Sequence, residues 1–137
     1  MNSKGFTGKE GKLISAEQAQ RITSPHLKKE REILARGENF VKAEFFGIHT
    51  FNDLINMHGQ NCVGFRVYYG VSDEEDNATE LDATDIKREK KPTSRLVIVP
   101  VDANGRDLTS SAQLGGMKDM PAQEEVMVGG PVCPRHC

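Results

Sequence analysis

CVGFRVYYGV, residues 62 to 71, is the stretch on which the fold turns. Val63, Phe65, Val67, Tyr69 and Val71 fall on one side of an extended chain and Cys62, Gly64, Arg66, Tyr68 and Gly70 on the other. That alternation is the period-two signature of a strand with one face toward a core. A second strand is expected at RLVIVPV, residues 95 to 101, whose continuous apolar run predicts cover on both faces. Pro100 has no amide to donate, which places an edge or a bulge near the end of that strand. DANGRDL, residues 102 to 108, then turns. Asn104-Gly105 is a dipeptide that tolerates two positive φ angles, so a hairpin into a short strand around Arg106 to Thr109 should follow.

Working outward, VKAEFFG at 41 to 47 alternates Val41, Ala43 and Phe45 against Lys42 and Glu44 and reads as a half-buried strand, with Phe46 covering its end. Thr50 with Asp53 opens a helix, TFNDLINMHG, in which Phe51, Leu54, Ile55 and His58 share a face and Gly59 closes the element. Nearer the N-terminus, Ser15 with Gln18 forms a capping box for a helix to about Ile22, and Ser24-Pro25 opens a second one that stops at Gly37. Residues 73 to 94, DEEDNATELDATDIKREKKPTS, change from acidic to basic and predict a flexible, solvated hairpin loop. The fold class is therefore α+β: a small antiparallel sheet of three to four strands with short helices on one face. A single domain over residues 13 to 109 is expected, with a flexible tail at 1 to 12 and a disordered tail at 110 to 137 that ends in CPRHC.

Composition narrows the function classes. The chain has 137 residues, 36% hydrophobic and 28% charged, with a formal net charge of -2. That balance fits one small soluble domain and lacks the broad positive field on which nucleic-acid binding relies. KREKK at 87 to 91 is screened by the acidic residues of the same loop. No apolar run is long enough to cross a membrane, the N-terminus lacks the apolar core of a signal peptide, and lipidation signals are absent at both ends. A cytoplasmic protein that contacts neither membrane nor nucleic acid is expected.

AEFFG, CVGFRVYYG, LVIVPVDANGRDL and the closing CPRHC together resemble a group of short uncharacterised bacterial proteins that carry patterns like FFG, GCVGIRIYYG, LVLVGVDANGNDM and CPPYC. The resemblance covers about residues 42 to 109 and the last five. It implies a common fold and a terminal thiol pair, and no activity. Arg135 and His136 depart from it, standing where proline and an aromatic are expected.

The chemistry-bearing residues leave several functions open. Arg66 and Tyr68 project from the side of their strand opposite the apolar stripe, beside Gly64 and Gly70, where another chain can approach closely; they form the candidate surface for a protein partner. The leading reading is thus a non-enzymatic binding or accessory module with no cofactor, with self-association left open. Cys133 and Cys137, with His136, carry an alternative: a thiol-dependent protein that binds a metal such as zinc or exchanges disulfides, with Cys133 the attacking sulfur. A further alternative is a precursor processed after Gly129-Gly130. His58 and Cys62, four apart, are read as a helix-end histidine and a small residue at a strand start. Asp102, Asn104 and Asp107 lack the spacing of a calcium loop and are read as a turn.

Overall fold

The structure, a computed structural model, describes residues 5–75, 89–109 and 124–133. It is α+β, as the alternating and helical periodicities predict. Among the described residues, three α-helices, α1 (Ala16–Leu27), α2 (Glu30–Ala35) and α3 (Ile48–Asn56), combine with five strands: β1 (Ala43–Glu44), β2 (Gly64–Glu75), β3 (Lys90–Val101), β4 (Met127–Val128) and β5 (Val132–Cys133). β2, β3 and β4 form one sheet in that order, and β1 pairs with β5 in a second. The described residues divide into two compact units, the first from residues 5–11, 46–68, 96–109 and 124–128 and the second from residues 12–45, 69–75, 89–95 and 129–133. β2 and β3 each give one half to either unit.

In the first unit the core forms where α3 meets the sheet. Leu54, Ile98 and Met127 are buried together, with Phe46, Phe51 and Phe65 packed against them. The Phe51 and Phe65 rings lie 4.5 Å apart and tilted, a favourable aromatic geometry. The helix face expected from sequence is the covered one, but α3 begins at Ile48 with Gly47 as its N-cap, ahead of Thr50, and no side chain caps it. β4 pairs antiparallel with β3, Val97 opposite Val128 and Ile98 opposite Met127. β3 is thus the central strand. Val99, Pro100 and Val101 are all buried, and Pro100, expected at an edge or bulge, accepts a backbone hydrogen bond from Leu108. After β3, the Asp102 side chain accepts from the amides of Asn104 and Arg106, an Asx-type turn. Only Gly105 has positive φ there, +83°, so the turn is the single-glycine kind and not the doubly positive one that Asn104-Gly105 permits.

The second unit is organised by polar groups. Asn39 and Thr93 are buried, and the Asn39 amide donates to Thr93 Oγ1 at 2.7 Å and to the Glu75 carbonyl at 2.9 Å, tying the segment before β1 to both long strands. Phe40 is buried under His26, its ring stacked at 5.0 Å, and His26 Nε2 donates to the Val41 carbonyl at 2.7 Å. The capping box at Ser15 and Gln18 is formed in both directions. α1 continues through Pro25 to Leu27, where the sequence suggested a break after Ile22. Pro25 falls in the last turn of a helix with no buried residue, so the carbonyl it leaves without an amide can be hydrated.

Three further expectations are corrected. β1 shows the reverse of the expected face: Glu44 is covered, while Ala43 and Phe45 are exposed. The stripe along β2 is covered only at Val63 and Phe65; Val67, Tyr69 and Val71 are exposed, Tyr69 at 92%. The loop read as 73 to 94 is shorter, because β2 runs to Glu75 and β3 starts at Lys90.

The two presumptive tails also hold structure. Phe6 donates its amide to the Ala103 carbonyl. Residues 127 to 133 carry β4 and β5, with Met127, Val132 and Cys133 buried. The remainder of both expected tails, and residues 76–88 of the loop, lie outside the described residues.

Candidate functional site

Arg66 and Tyr68 are two apart on β2 and so leave the strand on the same side. Asp107 reaches them from the segment after the Asp102 turn, where it bridges to Val101. Arg66 Nη1 donates to Asp107 Oδ1 at 2.5 Å and Nη2 to the Gly105 carbonyl at 3.1 Å. The Tyr68 hydroxyl donates to the other carboxylate oxygen of Asp107. The hydrogen bond to Asp107 holds the Tyr68 phenol above its ordinary range and raises Arg66 further, the Asp107 bond again being the largest cause. Arg66 has five N–H groups and uses two of them in these bonds, and its side chain is 37% exposed.

A cleft of about 330 Å³ opens beside this cluster, lined by Phe6, Gly8, Glu10, Val63, Gly64, Phe65, Arg66 and Val101. One wall is the N-terminal segment. Its position is fixed by the Phe6 amide on Ala103 and by the Phe6 ring, which lies so close to Gly105 that a Cβ there would overlap it. Gly8 has φ of +89° and sits where a Cβ would come within 3.0 Å of the Val63 carbonyl, a close approach that only glycine makes comfortably. Glu10 folds back on this segment: its carboxylate accepts from the amides of Thr7 and Gly8, each at 2.8 Å, and from the Thr7 hydroxyl at 3.1 Å. These bonds, the Thr7 amide first, hold Glu10 below the usual carboxylate range.

Of the residues of the other two readings, Cys133, Gly129 and Gly130 lie in the second unit. Cys133 is disulfide-bonded and buried, and its carbonyl accepts the Lys42 amide at 2.8 Å, while Cys62 is a free, half-buried thiol. Thiol exchange and metal binding both require a thiolate, and a disulfide-bonded Cys133 supplies none until it is reduced. Cys137 and His136 lie outside the described residues. Among the described residues, no three histidine, cysteine, aspartate or glutamate side chains cluster as a metal site.

Gly129 and Gly130 are woven into the fold. Gly130 donates its amide to Phe45, Phe45 donates to Pro131, and Arg95 Nη2 reaches the Gly129 carbonyl at 2.7 Å and that of Gly130 at 3.2 Å. A protease cuts most readily where the backbone is exposed and free of hydrogen bonds, so cleavage after Gly130 requires this segment to detach first.

The sequence pointed to Arg66 and Tyr68 through strand alternation; Asp107, Phe6 and Glu10 were missed. Asp107 belongs to a stretch whose sequence reads as a turn, and the other two lie in one whose composition suggests a tail. Comparison with protein families, curated proteins and solved structures finds no match.

Proposed function

We propose that the protein is a non-enzymatic binding module whose partner protein docks on the face formed by Arg66, Tyr68 and Asp107 and the cleft beside it. The observation that carries this reading is the convergence of two projecting strand side chains on one carboxylate, at the rim of an apolar-floored cleft. Two features support it: Arg66 retains N–H groups to offer, and the Asp107 bonds fix its direction before a partner arrives, which lowers the ordering cost of association. Enrichment of arginine and tyrosine in the energetic centres of interfaces points the same way. The test compares proteins recovered from the native cell by the wild-type chain, by Asp107→Asn and by Arg31→Ala on α2. A partner lost only with Asp107→Asn supports the reading; a set of partners unaffected by that substitution contradicts it.

A second reading, a thiol-dependent redox protein using Cys133 and Cys137, is favoured by one observation, the disulfide at Cys133. Alkylation of the native protein before and after a reductant tests it. The redox reading requires Cys133 to become reactive after mild reduction of the folded chain, and labelling only after unfolding contradicts it.

A further inference from the structure

The cleft beside Arg66 is lined by two charges in different circumstances. Arg66 is matched by Asp107 at 2.5 Å and by the Gly105 carbonyl. Glu10 is surrounded by donors that carry no charge, two amides and a hydroxyl. Among the described residues no lysine, arginine or histidine forms an ion pair with it. The rest of the lining is apolar or glycine: Phe6, Gly8, Val63, Gly64, Phe65 and Val101.

A neutral apolar ligand would fill this floor and desolvate the Glu10 carboxylate without a partner for it, at a free-energy cost. An anion would meet Glu10 while the cation at the other side is already matched. An aliphatic stem ending in a cation satisfies both parts at once: its methylenes pack on the apolar lining, and its head meets the Glu10 carboxylate. We propose that the cleft receives a basic side chain, lysine or arginine, presented by the protein partner. This rests on reading the Arg66 face as a docking surface and specifies what that surface selects.

The probe is Nα-acetyl-lysine methylamide, titrated into the full-length, isotope-labelled protein while the amide resonances of Gly8, Gly64 and Arg66 are followed. Its neutral isostere, Nα-acetyl-norleucine methylamide, and hexanoate serve as comparisons. The expected result is a saturable shift at those three amides that is measurably weaker with norleucine, absent with hexanoate and weakened by salt. Glu10→Gln should abolish the preference for lysine over norleucine. If that variant loosens the N-terminal segment, seen as loss of protection at the Phe6 amide, the isostere and salt comparisons in the unaltered chain still decide. Equal shifts with lysine and norleucine overturn the selection of a cation and leave the docking face standing. No shift with any probe overturns the cleft as the recognition element, and the docking face is then judged separately by the Asp107→Asn comparison.

Discussion

Replacing Gly129 with alanine should destabilise the protein, and replacing its neighbour Gly130 should not. A Cβ built on Gly129 collides with the Glu44 carboxylate, with Cδ 2.8 Å and Cγ 3.2 Å away, whereas one built on Gly130 meets only the Phe45 carbonyl at an ordinary 3.5 Å. Neither glycine has positive φ, so backbone strain does not distinguish them. Glu44 has little room to yield, because its side chain is 2% exposed and Arg95 holds it at 3.5 Å. Forcing a methyl group into a filled site costs about 1–3 kcal/mol. Moving the carboxylate away from Arg95 adds to that, since a buried charge separated from its partner is costly. At Gly130 the reduced freedom of the unfolded chain should instead leave stability unchanged or raise it by roughly 0.4–1 kcal/mol. Urea unfolding followed by far-UV circular dichroism measures both. Adding Glu44→Ala to Gly129→Ala removes the obstacle along with the ion pair, so the two substitutions should be strongly non-additive. Equal midpoints for the two alanine variants, or additive effects in the double variant, would refute the close packing of Glu44 on Gly129.

Stopping the chain after Gln123 removes β4 and β5 and with them Met127, Val132 and Cys133; at about 1.5–3 kcal/mol per large buried side chain this approaches a typical total stability, so the cooperative thermal transition should disappear. Its survival would return this region to the status of a tail. Phe65→Ala should cost about 3 kcal/mol, since it empties the aromatic contact with Phe51, far more than Tyr68→Ala, which loses one hydrogen bond at an exposed site; equal losses in chemical denaturation would mean that the faces of β2 are misassigned. The Tyr68 phenol, raised above its ordinary value of about 10 by donating to Asp107, contributes stability that is complete below that value and lost as pH rises through the folded one. Asp107→Asn should therefore lower the Tyr68 titration followed by ring-carbon NMR, and an unchanged curve would argue against the Asp107 bond.

What was legible in the sequence is what local physics decides. The capping box at Ser15 and Gln18 needs only residues three apart, and the covered face of α3 follows from a helical period. The unbroken run before Asp102 announced a strand covered on both sides, and β3 is the central one. β4 and β5 were not legible, because two-residue strands have no periodicity and their pairing is set by β3 and by β1, far away along the chain. The face of β1 was inverted for a related reason: burial of Glu44 depends on Arg95, which alternation cannot reveal. Alternation likewise identified the apolar stripe on β2 without saying how far its cover extends, and Tyr69 and Val71 lie beyond it. At the candidate site, Arg66 and Tyr68 followed from the pleat. Asp107, Phe6 and Glu10 owe their place to the turn after β3 and to the docking of Phe6 on Ala103.

The short run from Met127 to Cys133 also bears on when the chain can fold. It supplies β4 to one unit and then β5 to the other, and it follows every other described element in synthesis. A nascent chain can form its helices and the β2–β3 pair early, but Leu54 and Ile98 wait for Met127, and β1 waits for Val132 and Cys133. Both units therefore close late, through contacts between residues far apart in sequence, which is the slow class of folding reaction. Until then the emerging polypeptide exposes unpaired strand edges, the condition in which chaperones engage it. Products that end before Met127 lack both β4 and β5 and would remain in that state.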